Sequence, residues 1–221
     1  MSVTNTTHIK CEKPSGVQTR CFGVSFTDNS RILVCDKTGL YEYSSELDDK
    51  QPIKLPDGLT AVCASQVGET LGVKAGQLGN RQVETYIGTK QDPTCRSIGR
   101  YNLVTSSGNI EISVSDRYIA SICCTTQDKR HRIFTTEGTH LFDIILSDMK
   151  YSYGAHLLPH RTVLVSDLKG GELRKYHLLP NNTEPIWKYQ PANLALGGVS
   201  SDDLGLIYVT AIAKDRRHLI Q

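Results

Sequence analysis

Ala155-His-Leu-Leu-Pro-His-Arg-Thr-Val-Leu-Val-Ser-Asp167 holds two short apolar runs separated by a tight polar turn. The second run is β-branched and closes on Asp167, and both have the length and composition of strands. A glycine turn, Leu168-Lys-Gly-Gly-Glu172, leads into a third strand beginning Leu173-Arg-Lys-Tyr176. The same pattern returns in Val24-Ser-Phe-Thr-Asp-Asn-Ser-Arg-Ile-Leu-Val-Cys-Asp36, in Ile112-Ser-Val-Ser-Asp-Arg-Tyr-Ile-Ala-Ser-Ile-Cys123 and in Gly198-Val-Ser-Ser-Asp-Asp-Leu-Gly-Leu-Ile-Tyr-Val-Thr210. The faintest copy, Ala64 to Ala75, carries Gly72 where the others have a β-former. Aligned on Ser25, Ser65, Ser113, His156 and Ser200, the copies stand 40, 48, 43 and 44 residues apart.

Each copy resolves into four strands, a to d. They fall near 20–26, 31–36, 40–44 and 51–55 in the first unit, 110–115, 118–124, 131–135 and 140–146 in the third, and 153–158, 161–167, 172–178 and 185–189 in the fourth. Long amphipathic helical patterns are absent, so the chain reads as all-β with turn signals every 8 to 12 residues. A sandwich does not require self-similar units of about 44 residues; a β-propeller does, because each blade buries its two faces only against its neighbours. The expected fold is a β-propeller of about five four-stranded blades filling residues 1–221 as one domain, with units near 18–56, 59–98, 108–147, 151–190 and 194–221. The fifth unit lacks an outer strand. Residues 7–12 alternate like a strand and could supply it, closing the ring as a "velcro" strand that removes unpaired edges. The alternative is an incomplete six-bladed ring.

Composition narrows the function classes. With 25 Lys and Arg against 23 Asp and Glu, the net charge of +2 provides no global field for nucleic acid or an anionic membrane, so any binding charge must be local. The polar opening, Met1 to Lys10, has no apolar core of secretory length, and no stretch approaches a membrane span, so a cytoplasmic protein with no membrane partner is expected. The seven cysteines are scattered and contain no C-x-x-C pair, which argues against a disulfide framework and against structural zinc.

The units resemble blades of the NHL-repeat and WD-repeat propeller superfamily. The nearest likeness is to the NHL-type blades of tripartite-motif proteins, carried by Arg31-Ile-Leu-Val-Cys-Asp36 with Lys37-Thr-Gly39 and Leu40-Tyr41, and by Thr162 to Asp167 with the turn and strand that follow. The Trp-Asp dipeptide of WD repeats is missing, and Trp187 falls in an outer strand. The resemblance implies a non-catalytic interaction platform, like the substrate-recognition part of such a protein, binding protein partners or RNA. No RING or B-box zinc ligands are present in this sequence to carry ligase activity.

Propellers bind mainly at the end carrying the b–c and d–a loops and at the channel mouth. The strand reading puts Lys37, Arg81, Lys129, Arg130, His131, Arg132, Lys169, Lys214, Arg216, Arg217 and His218 in b–c loops, with Asp128-Lys-Arg-His-Arg132 and Lys214-Asp-Arg-Arg-His218 at equivalent positions. Such a basic face, with Tyr101 and Tyr151 in the d–a loops, would take an acidic protein segment or RNA phosphates. Solvated turn charges are the plainer reading. His156, on an innermost strand, is the channel candidate. It has no carboxylate at a recognisable spacing, and the serines beside it are an oxygen-poor set for calcium. No catalytic residue, metal or cofactor is therefore assigned. A small propeller hydrolase or lactonase, or a lectin-like sugar binder at the channel mouth, is the alternative. A monomer is expected unless the ring is incomplete.

Overall fold

The computed structural model describes residues 21–26, 31–36, 39–44, 49–54, 62–67, 70–76, 82–89, 96–102, 109–124, 129–202, 204–213 and 218–220. Their regular elements are all strands. Four four-stranded antiparallel meanders and one three-stranded sheet follow one another along the chain. The first holds β1 (Cys21–Phe26), β2 (Ile32–Asp36), β3 (Gly39–Tyr43) and β4 (Lys50–Ile53). The second holds β5 (Val62–Val67), β6 (Thr70–Gly76), β7 (Gln82–Thr89) and β8 (Arg96–Asn102). In the third are β9 (Asn109–Val114), β10 (Tyr118–Cys124), β11 (Arg130–Thr135) and β12 (His140–Ile145). The fourth is β13 (Ser152–Leu158), β14 (Thr162–Asp167), β15 (Glu172–His177) and β16 (Trp187–Tyr189), and the last is β17 (Leu194–Ser201), β18 (Ile207–Ala213) and β19 (His218–Ile220). The inner strands pack in series, β1 on β5, β5 on β9, β9 on β13 and β13 on β17. Among the described residues no comparable packing joins β17 to β1. Residues 7–12, the expected closing strand, lie outside the described residues.

β14 shows why the architecture is a propeller. All six of its residues are buried, so its two faces are both covered. Val163 and Val165 enter a cluster with Ala120, Ile133 and Ile144 of the third sheet, whereas Leu164 enters a cluster with Leu196, Val209 and Ala211 of the fifth. The period-2 alternation of the strand thus divides one apolar run between two blade interfaces. Neighbouring strands divide likewise. Ala120 and Ile133 face the fourth sheet, while Ile119 and Phe134 join Ile87 of the second. At about 1.5–3 kcal/mol for each fully buried aliphatic or aromatic side chain, these interfaces are the main source of stability.

Polar groups of the first and second strands of their sheets tie adjacent blades. The Leu157 N–H donates to Ser113 Oγ (2.9 Å), linking the third and fourth sheets. Ser166 Oγ accepts from Gly154 N–H (2.8 Å) and donates to the Gly197 carbonyl (2.5 Å), linking the fourth and fifth. No side chain fits at Gly154, where a Cβ would stand 2.6 Å from that carbonyl oxygen.

Candidate functional site

In a four-stranded meander the b–c and d–a connections fall at one end and the a–b and c–d turns at the other. The b–c/d–a end is best defined in the fourth sheet, where Asp167 organises it. Its Oδ2 accepts from the Lys150 N–H (2.6 Å), and its Oδ1 from those of Tyr151 and Gly170 (both 2.8 Å). Two backbone bonds, Leu168 N–H to the Tyr151 carbonyl (2.9 Å) and Gly171 N–H to the Asp167 carbonyl (2.8 Å), complete the crossing of the turn with the incoming d–a segment. Gly171 has φ +68 and abuts the Leu194 carbonyl, a conformation and a space that both require glycine. This carboxylate satisfies three donors that would otherwise be orphaned in the loops.

From that rigid crossing project Lys150 and Lys169, both exposed. Lys169 Nζ lies 5.3 Å from the Tyr151 ring centre, and the Tyr151 and Tyr153 rings are 6.4 Å apart. Behind them, Arg174 is buried, its guanidinium bound to Glu172 Oε2 (2.5 and 2.7 Å), Asp148 Oδ1 (2.6 Å) and the Tyr176 hydroxyl (3.4 Å). Burial opposes its charge, but these bonds to Tyr176, Asp148 and Glu172 hold it more firmly protonated than an ordinary arginine. Asp148 loses solvation, yet Arg174 keeps its carboxyl below the usual range. Lys188 Nζ stands 3.6 Å from Asp148 Oδ2 and is about half exposed. The edge therefore presents Lys150 and Lys169 beside aromatic rings, with the half-exposed Asp148 and the more buried Glu172 both paired to Arg174.

The basic cluster expected at Lys129 to Arg132 is not a free loop. β11 begins at Arg130, so strand alternation sends His131 into the interior, where it is fully buried with neither ring nitrogen hydrogen-bonded. Burial, followed by the charge of Arg132, lowers its pKa to about 3, so it is a neutral core group and not a binding cation. Lys129 Nζ donates to the Ser147 carbonyl (2.8 Å), and the Arg130 guanidinium lies 3.5 Å from the Asp143 carboxylate. Arg132 is half-buried on the strand. Lys169 occupies the b–c turn as expected. Lys37, Arg81, Lys214, Arg216 and Arg217 lie outside the described residues, and His218 opens β19, its backbone paired with Ile212.

His156 does lie on an inner strand, but its ring is committed. Nε2 is 3.0 Å from Ser201 Oγ of the fifth sheet, and burial lowers its pKa to about 4. It joins two blades as a neutral imidazole. Among the described residues no group of three His, Cys, Asp or Glu side chains could hold a metal ion, and no helix is long and apolar enough to cross a membrane.

The fold these observations define is a β-propeller, and solved structures agree. A luciferin-regenerating enzyme superposes with a TM-score of 0.65 at 10% identity over 92% of this chain and 77% of its own. A chain of the mitotic checkpoint complex gives 0.60 at 9% identity over 96% and 68%, and a streptogramin B lyase 0.55 at 11% over 91% and 68%. The likeness is one of fold. No family model matches the chain, and no curated protein sequence matches it significantly.

Proposed function

We propose that the protein is a non-catalytic β-propeller interaction platform that binds a protein partner through its b–c/d–a loop end, in the manner that its resemblance to tripartite-motif NHL propellers implies. The supporting observation is the edge of the fourth sheet. Lys150 and Lys169 are carried on backbone that Asp167 has already fixed, beside the Tyr151 ring. A preorganised basic and aromatic surface suits an acidic segment, since little ordering free energy remains to be lost on binding. The polar inner-strand groups that an enzyme would use, Ser113 and His156, are engaged in holding blades together.

Retention of a polyglutamate peptide on the immobilised chain tests the reading. Binding should weaken with salt and disappear in the Lys150→Glu/Lys169→Glu double variant. Undiminished retention by that variant rejects this face. Preferential retention of single-stranded RNA would replace the protein partner with a nucleic acid.

A further inference from the structure

Of the seven large apolar side chains exposed among the described residues, only Tyr189 lies at the basic end. Leu141, Leu179, Ile186, Leu204, Leu206 and Tyr208 all lie toward the opposite end, which carries the a–b and c–d turns. Leu204 and Leu206 belong to the turn between β17 and β18 and Tyr208 to the start of β18, and polar groups of the turn fix their geometry. Asp202 Oδ1 accepts from the N–H groups of Leu204 (3.0 Å) and Leu206 (2.9 Å), while Oδ2 accepts from the Tyr208 hydroxyl (2.8 Å). Backbone bonds from Asp202 N–H to the Leu206 carbonyl (3.1 Å) and from Gly205 N–H to the Asp202 carbonyl (3.0 Å) close it. The result is an ordered turn that leaves Leu204 86% and Leu206 57% exposed. An isolated exposed leucine needs no explanation, but two held in one fixed geometry form a ready apolar contact whose ordering is already complete.

The neighbouring a–b turn, between β13 and β14, supplies charge. His160 (φ 63) and Arg161 (φ 55) are consecutive non-glycine residues in the left-handed region, both exposed. The pair forms the two central positions of the tight hairpin between Leu158 and Thr162, whose twist requires left-handed backbone at both, so the turn displays the two side chains in a fixed geometry. The two turns are adjacent, because the ends of the inner strands that lead into them meet, His156 Nε2 lying 3.0 Å from Ser201 Oγ. On the other side of Arg161, its carbonyl accepts from the Leu178 N–H (2.8 Å), which places half-exposed Leu179 next in line. Asp202 is engaged by its own turn, and among the described residues of these two turns Arg161 is an exposed cation.

We propose that this end of the fourth and fifth sheets is a docking surface for a peptide segment of another protein in which an acidic residue is flanked by apolar ones. The apolar side chains rest on Leu204 and Leu206, and the carboxylate pairs with Arg161. The surface is separate from the basic edge at the other end, so either can fail without the other.

Panning the intact chain against a displayed random-peptide library tests it. The expected selection is a consensus of one Asp or Glu between apolar residues. Its affinity should fall at least about tenfold in Leu204→Ser/Leu206→Ser, an interface loss of the usual hot-spot size. Reselection on Arg161→Glu should exchange the acidic residue for a basic one, a change in specificity that a structural role for Arg161 would not produce. Lys150→Glu/Lys169→Glu should leave this selection unchanged. An absent consensus, an acidic preference that survives Arg161→Glu, or self-association that Leu204→Ser/Leu206→Ser abolishes would each overturn the proposal. Thermal melting verifies that these exposed variants remain folded.

Discussion

His131 should make the fold sensitive to mild acid, and its contribution can be isolated. The side chain is wholly buried, and its strand partners are Ile122 and Ile144. It shares a strand face with Ile133, which packs against the fourth sheet, and neither ring nitrogen finds a partner. Burial lowers its pKa from 6.5 to about 3, with Arg132 adding to the effect. Between those values the unfolded chain binds a proton that the folded chain refuses. Stability contributed by the neutral ring is thus complete above pH 6.5 and is lost as pH falls toward 3, at up to about 1.4 kcal/mol per pH unit. From pH 7 to 5 the loss from this residue is about 2 kcal/mol. Urea unfolding of wild type and His131→Leu at the two pH values measures it, because His156, lowered to about 4, contributes equally to both proteins and cancels. The leucine variant should lose about 2 kcal/mol less on acidification. At pH 7 it should be no less stable than wild type, since it removes an unpaired buried polar group. Identical pH dependence in the two proteins would refute the placement of His131 as a neutral core residue.

Two further perturbations test the framework that presents the surfaces. Asp167→Ala orphans three backbone donors at one crossing, and hydrogen bonds to a charged acceptor are worth about 1.5–3 kcal/mol each before non-additivity. A loss of about 3 kcal/mol is expected, read as a fall in thermal midpoint of roughly 6–12 °C, and a fall within a degree or two of wild type would show that the turn orders itself without the carboxylate. Gly154→Ala would press a methyl group onto the Gly197 carbonyl and Ser166 Oγ, at 2.6 and 2.9 Å. Prying the fourth and fifth sheets apart should cost about 1–3 kcal/mol, and unfolding curves superposable on wild type would exclude this close approach.

The repeat was legible because β14 writes its burial into sequence, an unbroken Val163-Leu-Val165 run that serves two interfaces. The second unit was faint for a physical reason. A Cβ at Gly72 would meet Ile112 and Val114 of the third sheet at 2.8 Å, so a packing requirement displaced the β-former that the pattern needs. The basic cluster misled at a strand boundary. Charged residues entering a strand look like a turn, and only the register, with Arg130 opposite Ile145, shows that alternation has begun and that His131 points inward. Arg174 reads as a solvated charge in Glu172-Leu-Arg-Lys-Tyr176, yet it is buried because Asp148, from the connection after the third sheet, reaches it. That partner is 26 residues away, and no local pattern encodes it. The exposed leucines at 204 and 206 carry no sequence signal either, since the turn that displays them is set by Asp202.

The inner-strand residues Gly154 and Gly197, and Ser166 on β14, have a common explanation in the sheet register. β1, β13 and β17 each slip against their partners, between Cys21 and Gly23, Ser152 and Ala155, and Leu196 and Val199. A bulge removes backbone groups from the ladder of its own sheet, and buried groups so released must find partners elsewhere. Gly154 and Gly197 both lie inside such slips, and Ser166 meets both, accepting from the first and donating to the second. One hydroxyl thereby completes the hydrogen bonding of two irregular strands in different blades. It can do so only because glycine lets the strands approach. The irregularities that weaken the fourth and fifth sheets alone are thus the contacts that fix one against the other, and they require a hydroxyl at Ser166 in an otherwise apolar buried strand.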